Sequence, residues 1–151
     1  MAVTKLSEDE LALLRELQMD GRASYSKLSK KTGIPSSTIH DKIKRLISNG
    51  VIKGYTVVMD KEKVGLDNVA IIGVETGAKQ FRDVAKNLCE IREIVEVYGT
   101  TAEFDLMVKV RASSRDELSN VLNQIRSVDG VDDIYVSSIL EVFKEEPTLS
   151  L

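Results

Sequence analysis

The chain holds 151 residues, with 21 Lys plus Arg against 24 Asp plus Glu and a formal net charge of -3 at pH 7. That length allows one domain or two small ones with real cores, and no apolar run approaches the ~18 residues of a membrane span. The opening MAVTKLSEDE lacks a signal-peptide apolar region and the single Cys89 cannot close an internal disulfide, so a cytoplasmic protein is expected.

In chain order, Ser7 and Glu10 have capping-box spacing, with Glu8 and Asp9 adding negative charge at the positive end of the helix they open. Leu11, Leu13, Leu14 and Leu17 form its apolar stripe, which ends near Asp20-Gly21. A shorter helix is expected from about Ser26 to Thr32, closing at Gly33. Pro35 and two serines open a third helix, since proline suits a first turn where no amide needs a partner. Ile39, Ile43, Leu46 and Ile47 fall at i, i+4, i+7 and i+8 and predict one buried face. Asn49-Gly50 ends that helix, and Val51 to Val58 reads as a strand.

Charge is distributed unevenly over these elements. Arg22 to Lys53 carries eight cations against the single acid Asp41, a net +7, whereas residues 61 to 151 hold 11 bases and 17 acids. A local surplus against the average points to an anionic partner. At ~100° per residue, Ser37, Thr38, Asp41, Lys44, Arg45 and Ser48 face away from the third helix's apolar stripe, with His40 and Lys42 at its edges. Short hydroxyls can approach base edges while Lys and Arg meet phosphates. A solvated face is the plain alternative for any charged helix. Within a helix-turn-helix frame and a basic surround, double-stranded DNA is the better expectation, and Arg22 and Lys53 extend the contact surface.

Asp60 to Asn68 is polar and turn-rich, a hinge. Beyond it, Val69 to Glu75 reads as a strand, Phe81, Val84, Ala85 and Leu88 as a helix face, and Ile94 to Tyr98 as a second strand. Phe104 to Arg111 alternates cleanly as a third strand. Ser114 and Glu117 form another capping box before Leu118, Val121, Leu122 and Ile125, and Ile134 to Phe143 is the last strand. The order βαββαβ implies a ferredoxin-like sheet with both helices on one face. Ile71, Ile72 and Val74, like Tyr135, Val136, Ile139 and Leu140, are apolar in both parities, so the second face is expected to bury against another copy. A symmetric dimer suits a helix-turn-helix, which then reads a pseudo-palindrome. An RNA platform of this topology needs exposed aromatics on central strands, and Phe104 falls on the parity assigned to the core.

The connection Tyr98-Gly99-Thr100-Thr101-Ala102-Glu103-Phe104-Asp105 gathers bare amides, two Thr hydroxyls and two carboxylates. It could be a solvated hairpin. It could also hold a small zwitterion, with Glu103 or Asp105 on the ammonium. His40 is the sole histidine, so a His-based metal cluster or Cys-His nucleophile is excluded, and Cys89 is expected to be a packed small hydrophobe. No phosphate-binding glycine motif occurs. No metal, no cofactor and no catalytic residue is expected.

From Leu6 to about Phe143 the chain resembles the Lrp/AsnC, or feast/famine, transcription regulators. The likeness is carried by the Leu6-to-Leu17 stripe, Asp20-Gly21-Arg22, the run KLSKKTGIPSSTIHDKIKRLISNGVIKGY, and YGTTAEFDLMVKV. It implies an α+β protein: a helix-turn-helix, winged-helix-like domain over residues 1–50, a connecting strand and hinge over 51–68, and a ferredoxin-like effector and oligomerisation domain over 69–151. It also implies homodimers through the sheets assembled into an octamer, and an amino-acid effector bound at Tyr98, Gly99, Thr100, Thr101, Ala102, Glu103 and Asp105. The last strand adds Tyr135, Ser137 and Ile139. The similarity is greatest to archaeal members of a glutamine-receptor type, which makes glutamine the expected effector. Where the family commonly begins its recognition helix with Leu-Ser, this chain has Ile34-Pro35, leaving Ser36 or Ser37 to cap. Its usual mid-helix Arg is Lys42, a point charge without the bidentate fork. An amino-acid-binding regulatory subunit of a metabolic enzyme shares the sheet topology but leaves the basic helices unexplained.

Overall fold

A computed structural model describes residues 5–151, which divide into two compact units. One holds the chain up to Val58 together with Glu146–Leu151; the other is Met59–Glu145.

The first unit contains α1 (Glu8–Met19), α2 (Tyr25–Thr32) and α3 (Ser36–Ser48). The capping box at α1 is complete: Ser7 Oγ accepts from the Glu10 amide, and the Glu10 carboxylate accepts from the Ser7 amide at 2.9 Å. Leu13 and Leu14 are buried, with Leu11 and Leu17 half-buried beside them. Leu28, Ile34, Ile39, Ile43 and Leu46 complete the core. Gly33 closes α2 at φ +76°, where a side chain would be strained.

Three local expectations are corrected in this unit. α2 begins at Tyr25, one residue before the expected start, because Ser24 caps it by accepting from the Lys27 amide. Pro35 occupies the cap position of α3, and neither Ser36 nor Ser37 caps; the Ser36 hydroxyl instead donates to the Tyr25 carbonyl at 3.4 Å. Ile47 is exposed, since eight steps from Ile39 put it ~80° off the stripe that Ile39, Ile43 and Leu46 share.

The expected strand over 51–58 does not form either. The amides of Val51 and Ile52 both donate to the Leu46 carbonyl and close the end of α3. From Lys53 to Met59 no main-chain group enters a backbone–backbone hydrogen bond among the described residues. The segment has a strand's composition and no adjacent strand, and pairing is what makes a strand.

The second unit is a four-stranded antiparallel sheet of β1 (Asn68–Thr76), β2 (Ile94–Gly99), β3 (Leu106–Ala112) and β4 (Val131–Ser138), ordered β2-β3-β1-β4. The helices α4 (Phe81–Cys89) and α5 (Arg115–Arg126) join the strands in βαββαβ order. Ala70, Ile72 and Val74 of β1 and Leu106, Val108 and Val110 of β3 meet Val84 and Leu88 of α4 and Val121 and Ile125 of α5. The pleat sends Ile71, Gly73, Glu75, Met107, Lys109, Arg111, Tyr135 and Ser137 to the opposite face.

Four readings change here. β3 starts at Leu106, so Phe104 lies in the preceding loop, free of the pleat, and its ring crosses to the face without helices. β4 stops at Ser138, because only the Ile139 amide continues the pairing, to the Val69 carbonyl at 2.9 Å. Ser114 caps α5, but the Glu117 carboxylate reaches the amide and hydroxyl of Ser113, one residue short of a reciprocal box. Cys89, expected to be packed, is exposed: it follows Leu88 at the last position of α4, one step past the core-facing stripe.

Candidate nucleic-acid interface and effector loop

The first turn of α3 presents Ser37 and Thr38 to solvent, and Asp41 and Lys44 continue the same face one and two turns on. Ser36 belongs to that turn but is engaged with Tyr25. His40 is exposed, lies edge-on to the Tyr25 ring with centroids 5.9 Å apart, and has Nδ1 3.3 Å from Asp41 Oδ1. Tyr25 thus joins α2 to α3 at the edge of the candidate surface. The sequence reading missed it by weighing this stretch for charge alone.

Four of the eight basic side chains in the charge island are already paired. Lys27 bonds Asp20 at 2.6 Å, Lys31 bonds Glu16, Lys42 lies 3.4 Å from Asp9, and Arg45 Nη2 donates to Glu10 at 2.6 Å. Lys42 keeps only 16% of its side-chain surface exposed, whereas Arg45 keeps 58%. Arg22, Lys30, Lys44 and Lys53 take no ion pair among the described residues. Lys42 and Arg45 are therefore tied back to α1, and Lys44 is the uncommitted cation on the outer face of α3.

In the second unit the loop Thr100–Asp105 is closed upon itself. Thr100 donates its amide to the Asp105 carbonyl at 2.9 Å and its hydroxyl to the Phe104 carbonyl, and its oxygen accepts from the Ala102 amide. One Asp105 carboxylate oxygen accepts from the Thr76 amide at 2.8 Å and the Thr76 hydroxyl at 3.3 Å, which ties this acid to β1. The other acid expected to meet an ammonium, Glu103, takes no hydrogen bond among the described residues and is exposed beside Thr101 and Ala102. The Phe104 ring lies over Gly73, 2.5 Å from where a Cβ would stand, and against Tyr135 with centroids 4.9 Å apart. This brings the loop to Tyr135 on β4. The Glu75 and Asp133 carboxylates push the Tyr135 phenol up.

Tyr98 is elsewhere. It ends its hydroxyl on Glu96 at 2.9 Å on β2, and β2 and β4 are opposite edges of the sheet, so ~14 Å of strand spacing separates it from Tyr135 and Ser137. Gly99 closes β2 opposite Leu106, and Ile139 lies just past the end of β4. Gly73, Thr76 and Phe104 support the loop. Only a glycine inside a β-rich run hinted at them in the sequence.

The same open face carries a second charge centre. Glu145 accepts from Arg111 at 2.6 and 2.7 Å and from Lys109 and Lys61, and Lys109 also lies 3.5 Å from Glu96. Lys109, then Lys61, pulls the Glu145 carboxyl down to about 2, and Glu145 in turn raises Lys109. The Ser7 amide, then Arg45, holds Glu10 down to about 2 in the first unit. Both groups sit below the 4.5 of a free glutamate, so the unfolded chain binds more protons in between. Their stabilisation is complete above ~pH 5 and is lost as pH falls through 4.5 towards 2. The urea midpoint should drop over that interval, and Glu10→Gln with Glu145→Gln should flatten the drop; an unchanged slope would overturn the assignment.

Among the described residues no group of three or more His, Cys, Asp or Glu side chains is placed to hold a metal ion, and no helix is long and apolar enough to cross a membrane.

Residues 8–53 match the family model described as winged helix-turn-helix DNA-binding, and residues 69–149 match the Lrp/AsnC ligand binding domain. The HTH-type transcriptional regulator FL11 of Pyrococcus horikoshii is 39% identical over 146 residues, 97% of each chain. Its namesake from Pyrococcus furiosus is 38% identical over 144 residues, 95% of each. Among solved structures, the transcriptional regulator NMB0573 of Neisseria meningitidis, in complex with L-Met, superposes with a TM-score of 0.88 at 26% identity over 97% of both chains. The leucine response regulatory protein of Mycobacterium tuberculosis gives 0.84 at 28% identity, over 95% of this chain and 99% of that one.

Proposed function

This chain belongs to the Lrp/AsnC family of transcriptional regulators, and from that premise we propose how it divides the work of DNA reading and amino-acid sensing among its residues. Ser37, Thr38 and Asp41 approach base edges in the major groove, and Lys44, Arg22 and Lys53 neutralise phosphates on either side. The single observation that carries this assignment is that half of the basic cluster is paired internally while these cations are not. Each phosphate contact releases counterions, so log affinity should fall with log salt by ~0.9 per contact. A flat salt response would sink the DNA assignment.

The effector is an amino acid held by the Thr100–Glu103 turn, with Glu103 on its ammonium and Tyr135 beside it; glutamine is our first candidate. The regulator from Neisseria meningitidis was solved with L-Met, which supports an amino acid of some kind in a domain of this type. Titration with each of the twenty amino acids by calorimetry tests it. Heat from glutamine alone supports the assignment in full, heat from another supports the site and corrects the ligand, and heat from none removes the sensor.

Two copies pair in our reading. The unpaired main chain of Lys53–Met59, with Val57 78% and Val58 69% exposed, is supplied with a partner by the same segment of a second chain, and the open sheet face gains its cover in the same way. Assembly of four such dimers into an octamer places effector turns from different dimers together. We place this regulator in the cytoplasm, where DNA and free amino acids meet, and assign it no catalytic step, its relatives being transcriptional regulators. The winged helix-turn-helix match sets aside a metabolic regulatory subunit without DNA binding.

A further inference from the structure

Glu146–Leu151 follows the second unit in sequence yet belongs to the first. Helix α1 holds it. The Gln18 side-chain amide donates to the Leu149 carbonyl at 3.1 Å and accepts from the Leu149 amide at 2.6 Å, so one side chain matches both polar groups of one peptide residue, as a neighbouring strand would. Arg15 Nε donates to the Leu151 carbonyl at 2.8 Å. Pro147, Leu149 and Leu151 also line a cavity of about 380 Å³ whose other walls include Leu14, Leu17 and Tyr55.

This attachment is specific but shallow. The three hydrogen bonds made by Leu149 and Leu151 lie at the surface, and the two residues remain 73% and 41% exposed. Elements with few buried contacts open at a small fraction of the global unfolding free energy. The residue from which the hexapeptide departs is the reverse: Glu145 is gripped by Lys61, Lys109 and Arg111. Lys109 and Arg111 lie on β3, the strand that runs directly out of the loop Thr100–Asp105. A weakly docked segment therefore begins at a carboxylate clamped by the strand behind the effector loop.

We propose that Glu146–Leu151 is a releasable strap that carries the ligand state of the effector loop to the DNA-binding unit, anchored at Glu145 and docked on α1 by Gln18 and Arg15. The proposal rests on the amino-acid-sensing function proposed above. Docked, the strap lines the apolar cavity and gives the two units a second chain connection besides Val58–Met59. Released, it leaves one. An amino acid that binds the docked and released states unequally shifts DNA affinity by the corresponding factor.

The test uses the full chain, Gln18→Ala, and a chain ending at Glu145. Calorimetry measures amino-acid affinity, sedimentation measures mass, and DNA affinity is taken without and with saturating glutamine, or whichever of the twenty amino acids gives heat. The expected result is parental mass, an amino-acid affinity moved to that of the released state, and a ligand-induced change in DNA affinity reduced about fivefold or more in both variants. A change equal to the parent's in both overturns the strap. If no amino acid gives heat with the parent, the sensing function fails, and the strap is judged by ligand-free DNA affinity alone. There, a shift of about threefold or more in both variants supports a control element on α1, and parental affinity overturns it.

Discussion

Alanine at Gly73 is expected to weaken amino-acid binding by about 5- to 150-fold while ligand-free DNA affinity stays at the parental value. A Cβ there would stand 2.5 Å from both Cγ and Cδ2 of Phe104, a distance the base of a ring cannot absorb by rotating. The ring cannot simply retreat, because Tyr135 lies 4.9 Å away on its flank and the Phe104 carbonyl is stitched to Thr100. Thr100–Asp105 must therefore move as a body. Overpacking of this kind costs about 1–3 kcal/mol, and each ~1.4 kcal/mol taken from a binding-competent loop is a tenfold loss of affinity. Calorimetry reads the loss, and circular dichroism checks that the sheet persists. Parental heat from Gly73→Ala would show that the ligand sits away from this loop. Combined with Phe104→Ala, the two substitutions should be less than additive in stability, since the second removes the clash that the first creates.

Lys44→Ala and Arg45→Ala, neighbours on α3, should fail in different ways. Lys44 is exposed and takes no ion pair among the described residues, so its removal should leave stability unchanged, weaken DNA binding across sequences, and lower the salt slope by ~0.9. Arg45 is bonded at 2.6 Å to Glu10, whose side chain is only 7% exposed. Its loss leaves a buried carboxylate with Ser7 alone, which costs about 1–3 kcal/mol. Urea unfolding and binding at several salt concentrations separate the two. Glu10→Gln should recover part of the stability lost in Arg45→Ala. An Arg45→Ala protein with the parental urea midpoint and a Lys44-like binding loss would mean that Arg45 leaves Glu10 to serve phosphate.

Local signals were read well where they act within one turn. The box at Ser7, the left-handed Gly33 and the apolar stripes of α4, α5 and, apart from Ile47, α3 each depend on residues at most a few positions apart. Periodicity also ordered βαββαβ correctly, since each strand alternates against the same helical layer. Ile47, Cys89 and the second capping box show that local readings also failed, but other features depended on residues distant in sequence. The sequence presents Arg45 and Asp105 as charged groups but does not show that α1 brings Glu10 to the first and β1 brings Thr76 to the second. Phe104 alternates with Leu106 and Val108, but pleat parity holds only inside a strand, and its strand starts two residues later. Val51–Val58 has every strand preference and no adjacent strand, a property of assembly that no single segment carries.

The arrangement of Glu146–Leu151 has a further consequence, in biosynthesis. A ribosome releases α1, α2 and α3 early, and N-terminal domains generally fold as they emerge. Here the peptide that docks on α1 is translated only after the last strand of the sheet. A nascent or prematurely terminated chain can thus build its helix-turn-helix core but not this final contact. Synthesis of the strap follows synthesis of the sheet, so the regulator acquires this DNA-domain element only once the sensing domain has been made.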